Sequence, residues 1–203
     1  MRKIIFATGN EGKMREIRKI LENMIVNGEE TQILSMKEAG LNPDIVEDGQ
    51  SFEENAAIKA KAVAELAKDA IVLADDSGLE VDYLGGEPGI YSARYLGEET
   101  PYSVKNSHII KLLEGVAEAK RTARFVCAIA AVLPGGEVLC EKATIEGTIG
   151  YEEKGSNGFG YDPIFYVPSY ARTTAELSED EKNEISHRGK ALRAIRERLE
   201  GKR

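Results

Sequence analysis

This sequence predicts an α/β fold built on a mixed sheet, on three observations. Two short apolar runs, Lys3 to Ala7 and Ala70 to Ala74, have the length and bounds of buried strands. Segments with helical spacing and legible caps alternate with them along the chain. Residues 122–133 and 137–149 flank Pro134-Gly135-Gly136, the mark of a long antiparallel hairpin. Crossovers and a hairpin in one chain make the sheet mixed rather than purely parallel.

Taken in order, residues 3–7 form a strand that ends at Thr8-Gly9-Asn10. A helix follows from about Glu11 to Asn23, with Met14, Ile17, Ile20, Leu21 and Met24 on one side. Residues 31–36 are a candidate second strand, and 40–50 a loop carrying Pro43 with the acids Asp44, Glu47 and Asp48. Ser51 and Glu54 make a capping box for a helix over 52–68, a stretch rich in Ala, Lys and Glu. The strand at 70–74 places Asp75-Asp76-Ser77-Gly78 at its carboxyl end. After a glycine-rich loop at 85–97, Thr100 caps a helix with Pro101 in first position and Gly115 as its stop. The first hairpin strand is apolar on both faces, so it lies inside the sheet. Another glycine-rich loop, 155–160, leads to a strand at 161–167. A second capping box, Ser178 to Glu181, opens a helical region reaching the C-terminus with Ser186-His187-Arg188 partway along.

At 203 residues with 42% hydrophobic composition, the chain has enough apolar surface for one large domain or two closely joined lobes. Lys and Arg number 27 against 35 Asp and Glu, a net charge of −8, which argues against coating nucleic acid. A small anionic ligand remains compatible, because a local basic pocket outweighs the total. The N-terminal apolar stretch is too short for a signal peptide, and Phe125 to Leu133 is far short of a membrane span. Cys127 and Cys140 form no CxxC pair or ligand set with His, so two reduced cysteines and no zinc are expected. A soluble, cytoplasmic protein follows.

Four segments have residues suited to chemistry. In ATGNEGK, Ala7 to Lys13, a strand meets a helix whose first amides and dipole favour an anion, with Lys13 adding charge. It is neither a Walker A loop nor a GxGxxG turn, and it reads equally as an ordinary strand-to-helix turn with a surface lysine. In ADDSGL, Ala74 to Leu79, adjacent aspartates at a strand end can hold Mg²⁺ or take a proton from water, or simply cap a turn. Alternation along a strand lets only one of them face a given site. In SNGFGYDPIF, Ser156 to Phe165, Phe159 and Tyr161 suit stacking on a planar base and Asp162 suits hydrogen bonding to it; core packing of both rings is the other reading. In EKNEISHRGK, Glu181 to Lys190, His187 and Arg188 suit carbonyl or phosphate recognition, or form part of a solvated basic face. His108, in an apolar-periodic helix, reads as structural.

The order of these segments is more specific than any one of them. ATGNEGK, SFEENA (51–56), ADDSGL, GGEPGIYSARY (85–95), GFGYDPIF (158–165) and SHR (186–188) together resemble the inosine triphosphate pyrophosphatase family, over residues 1 to about 198. The resemblance implies an elongated mixed sheet with helices on its faces, two lobes around a central cleft, and a homodimer. It implies hydrolysis of ITP, dITP and XTP to the monophosphate and pyrophosphate with Mg²⁺, and no nucleic-acid or membrane partner. By the family pattern, Thr8, Gly9, Asn10, Glu11, Gly12 and Lys13 grip the triphosphate. Asp76 is general base and metal ligand, with Ser77 beside the substrate. Phe159, Gly160, Tyr161 and Asp162 sandwich and read the base, completed by Lys182, His187 and Arg188; Lys59 and Arg94 are further candidates. The family's second metal carboxylate usually stands three positions before the glycine matching Gly49. Val46 occupies that position here, and Glu47 beside it takes the assignment. A donor to the 6-oxo oxygen is assigned to His187 or Arg188, since adenine's amino group would meet it unpartnered. Another base preference, or a non-catalytic nucleotide-binding regulator, is the alternative.

Overall fold

In the computed structural model, which describes residues 1–202, the first βα unit forms as its pattern requires. Strand β1 (Arg2–Phe6) buries Ile4, Ile5 and Phe6, and helix α1 (Glu11–Ile20) starts behind Asn10, whose side chain accepts the Lys13 amide at 3.0 Å. A short strand the sequence reading passed over, β2 (Ile25–Val26), pairs antiparallel with β3 (Glu29–Ser35) across an Asn27-Gly28 turn. Helix α2 (Phe52–Ala64) ends four residues before the expected limit. Its Ser51 hydroxyl accepts the Glu54 amide at 3.1 Å as foreseen, but the Glu54 carboxylate accepts from Gln50 N rather than from Ser51.

The largest departure is β4, which runs unbroken from Ile71 to Val81. Asp75-Asp76-Ser77-Gly78 therefore lies in mid-strand rather than in a turn at its end. Helix α3 (Tyr102–Leu112) begins after Pro101 without a side-chain cap, because the Thr100 hydroxyl donates back to the Leu96 carbonyl at 2.7 Å. The expected hairpin is present as β5 (Thr122–Val132) and β6 (Val138–Ile149), with β5 buried along nearly its whole length. Only Phe165–Val167 of the expected strand at 161–167 forms one (β7), since Pro163 cannot donate to a ladder and Asp162–Ile164 coils into a 3-10 turn. After β8 (Arg172–Thr173), the C-terminal helical region divides. Helix α4 (Glu179–Ile185) stops at Ser186, which is extended (φ −65°, ψ 154°), and α5 (His187–Leu199) starts anew.

The strands are hydrogen-bonded in the order β2-β3-β1-β4-β5-β6-β7-β8. The β1 pairings with β3 and β4 are parallel, and those of β2 with β3, β6 with β7 and β7 with β8 antiparallel, so the sheet is mixed. Two compact units share the chain: the first comprises 1–76, 127–143 and 188–203, the second 77–126 and 144–187. In the first, Ile4, Phe6, Met14, Ile17, Leu73, Ile129, Leu192 and Ile195 form the core. In the second, the core contains Leu79, Val81, Ile109, Phe125, Ile149, Tyr161, Ile164 and Phe165. Both cysteines are free thiols, and burial pushes Cys127 up to about 12, which leaves it unreactive. Among the described residues no helix is long and apolar enough to cross a membrane.

Candidate active site

In the first unit, the turn after β1 leaves a helix N-terminus open. The Thr8 hydroxyl accepts the Asn10 amide at 3.2 Å, which holds the loop in place. Gly9 and Asn10 are exposed, and a Cβ built on Gly9 would meet no atom within 4 Å. Glu11 is exposed at the first helical position, with Gly12 half-buried behind it. Lys13 turns inward, its Nζ 3.0 Å from Asp75 Oδ2. Backbone amides, the dipole of α1 and one ammonium thus converge on one small region.

Because β4 is straight through both aspartates, its pleat sends them to opposite faces. Asp75, 1% exposed, meets Lys13 of α1 and Arg188 Nε of α5, the latter at 3.3 Å. Arg188 Nη1 continues to Glu16 Oε2 at 2.7 Å. Burial pushes Asp75 up, but the charges of Lys13, Arg188 and Lys59 overcome it and hold the carboxyl well below the carboxylate range. Burial likewise opposes the Arg188 charge, yet Asp75 and Glu16 raise its pKa further. Arg188 is 3% exposed, so it takes no part in a solvated basic face. Its guanidinium pairs with two internal carboxylates. Glu16 was missed, although it stands four residues before Ile20 and therefore on that residue's apolar face.

Asp76 looks the other way, toward α2. Asn55 Nδ2 donates to its Oδ2 at 3.1 Å, while Asn55 Oδ1 accepts the Gly49 amide at 2.9 Å. Lys59 Nζ lies 2.8 Å from Glu47 Oε2 and 3.7 Å from Asp76 Oδ1, so one ammonium faces both carboxylates. Val46 is 70% exposed, and it is Glu47 that reaches this group. Burial raises the Asp76 pKa; Lys59 and Asn55 counter it and Glu47 and Asp75 add to it, leaving a net rise. Burial lowers that of Lys59, but Asp75, Asp76 and Glu47 together raise it. Asn55 also escaped the sequence reading, though it lies one helical turn before Lys59. Ser77, next on the strand, is half-buried.

The second unit holds the other candidates. Asp162 is buried, and its Oδ2 accepts the Phe159 amide at 2.8 Å and Lys182 Nζ at 2.7 Å, while Oδ1 accepts the Thr174 hydroxyl at 2.8 Å. Asp162 therefore organises its loop and Lys182. Lys182 Nζ also lies 4.8 Å from the centroid of the Phe159 ring, which is half-buried. Tyr161 packs inward within this unit. It is 4% exposed in the core, edge-on to Tyr102, and its hydroxyl donates to the Ser92 carbonyl at 2.7 Å. Gly160 is half-buried between these residues. His187 is buried and stacked on Phe125 at 4.9 Å. Arg94 is exposed and lies over Tyr91 instead. His108 tilts against Tyr95, a packing contact.

Comparison with known proteins gives this arrangement its setting. Residues 4–198 match the Ham1 family. The chain belongs to the Ham1 family. Among its Ham1 relatives, the dITP/XTP pyrophosphatase of Bacillus licheniformis is 48% identical over 96% of each chain. That of Clostridium perfringens is 47% identical over 99% of this chain and 98% of its own. The Ham1 protein of Staphylococcus aureus has a solved structure that covers all of both chains, with 39% identity and a TM-score of 0.86. The mixed α/β fold of this chain is thus the fold of a Ham1 protein.

Proposed function

We propose that this chain hydrolyses deaminated purine nucleoside triphosphates, namely dITP, XTP and ITP, to the monophosphate and pyrophosphate. The observation that carries the reading is the division of Asp75 and Asp76 between two faces of one strand. It separates an anion-receiving region from a pair of carboxylates that share a cation. The names of the relatives, nearly half identical over almost the whole chain, support the substrate class.

In this reading the first unit handles the phosphates. The Thr8–Lys13 amides and the Lys13 ammonium receive the triphosphate, and Asp75 holds Lys13 in place. Asp76 orients the attacking water and takes its proton. A carboxylate with a raised pKa is the better base near neutral pH. The donor set fits a divalent cation: Glu47 and Asp76 already face one positive charge, that of Lys59 Nζ. Among the described residues no three-ligand His, Cys, Asp or Glu cluster exists. Two carboxylates plus substrate phosphates and water are the usual environment of Mg²⁺, the ion proposed here. Such an ion neutralises charge that develops on the phosphates.

The second unit reads the base. Phe159 supplies an aromatic surface, with Lys182 and His187 as donors for a 6-oxo oxygen; adenine would set an amino group against them. The same reading takes the 203 residues as one functional domain acting on one substrate, as a homodimer in the cytoplasm. The test is pyrophosphate release from ITP, dITP, XTP, GTP and ATP with and without Mg²⁺. Metal-dependent turnover of the first three, well above GTP and ATP, is expected. Turnover of another nucleotide would overturn the base assignment. Nucleotide binding without turnover would make the chain a regulator.

A further inference from the structure

We propose that Asn106 is a positioning residue for base recognition, fixing the Phe159–Asp162 segment through the carbonyl of Gly160. This inference rests on the reading that the segment contacts the base. Asn106 lies on α3 and is 1% exposed. Its Nδ2 donates to Glu153 Oε1 at 2.6 Å and to the Gly160 carbonyl at 3.3 Å. Both partners are acceptors, so the amide has one acceptable orientation: turned over, it would set oxygen against oxygen twice.

That orientation leaves Oδ1 buried with no hydrogen-bond partner among the described residues. A buried acceptor without a donor loses its hydration and gains nothing in return. A leucine, branched at the same atom but bulkier, would avoid that loss. Glu153 is exposed and Gly160 half-buried, so water can replace the amide's two donations. Stability of α3 alone therefore gives no reason for an asparagine at this position. The reason lies in what Nδ2 holds.

Gly160 has φ +68° and, lacking a side chain, moves readily between conformations. Asp162 fixes the amide of Phe159 on one side of it. The Tyr161 hydroxyl anchors the chain on the other. Asn106 fixes the carbonyl of Gly160, and with it the Gly160–Tyr161 peptide plane, so it limits the turn that joins Phe159 to the Tyr161 anchor. An aromatic surface held in place before a base arrives lowers the ordering cost of binding.

The experiment compares wild type with Asn106→Leu and Asn106→Asp in steady-state kinetics on ITP, together with thermal unfolding. Asn106→Leu should raise KM for ITP roughly tenfold, the scale of one lost hydrogen bond. Its kcat should stay within about twofold, and its Tm should not fall. Asn106→Asp keeps the shape but presents acceptors to Glu153 and Gly160, and should raise KM as much. A lowered Tm with unchanged KM would make the amide structural and overturn the inference, as would a fall in kcat alone. ATP measured in parallel separates the two readings. A wild type without preference for ITP over ATP refutes base reading itself; a wild type with that preference and an Asn106→Leu variant of unaltered KM refutes only the role of Asn106.

Discussion

Arg188→Ala removes the cation that Asp75 and Glu16 share. Both carboxylates are almost fully buried, with side-chain exposures of 1% and 8%, and Arg188 reaches them at 3.3 and 2.7 Å. Deleting one member of a buried ion pair costs about 3–5 kcal/mol, because charge stays behind in a poor solvent. In a domain of this size each kcal/mol moves Tm by roughly 2–4 °C. Lys13 remains 3.0 Å from Asp75 and limits the damage. The loss should therefore fall at the lower end, about 6–12 °C. Calorimetric melting at neutral pH measures it, with ITP and ATP turnover recorded on the same preparation. Adding Glu16→Gln neutralises a stranded carboxylate and should restore part of the loss. A drop of less than about 2 °C with an altered ITP-to-ATP ratio would refute the reasoning, since the guanidinium would then be acting on the base.

Asp76→Asn should leave Tm unchanged or raised while turnover falls about 10²–10⁴-fold. Burial raises the folded pKa of Asp76, so its ionised form weighs against the fold as pH rises, and a neutral isostere relieves this. Near-normal turnover, or a Tm lowered by several degrees, would contradict it. Gly158→Ala should cost at least about 1 kcal/mol of stability and raise KM for ITP, by denaturant melts and kinetics. Its φ is +73°, and an added Cβ would lie 2.2 Å from Asp162 Oδ2, dislodging Lys182. Glu181 should titrate far below an ordinary glutamate, at about 2, because the Ser178 amide, then Arg172 and the Ser178 hydroxyl, favour its ionised form. Its stabilisation of α4 is then complete above the ordinary value of 4.5 and lost as pH falls toward 2. A carboxyl-carbon NMR titration with a midpoint near 4.5 would contradict this.

What the sequence disclosed was largely local. The cap at Ser51, the capping box at Ser178, the Asn10 loop and the β5–β6 hairpin are each written in residues a few positions apart. The course of β4 was not, because Asp, Ser and Gly favour turns locally. Lys13, Lys59 and Arg188, distant in sequence, stabilise the aspartates within a strand. Sequence order of the motifs identified the family. It did not show that Arg188 and Tyr161 face inward, since charge and ring type are the same whether a side chain meets a ligand or a neighbour. Asn55 and Glu16 were within reach of helical spacing, each sharing a face with a residue already singled out. The break at Ser186 was not, as neither Gly nor Pro marks it.

The first unit is assembled from three stretches of chain, and this sets when it can be completed. Its core draws Ile4 and Phe6 from one end of the polypeptide and Leu192, Ile195 and Leu199 from the other. That core is therefore complete only once α5 has been made. The second unit needs nothing beyond residue 187. Its buried core residues, Leu79 to Val167, all precede α5 in the chain. Arg188, the first residue of the final stretch, arrives after Glu16 and Asp75 have long been synthesised. Lys13 and Asp75 thus acquire their full electrostatic setting only once Arg188 has been made.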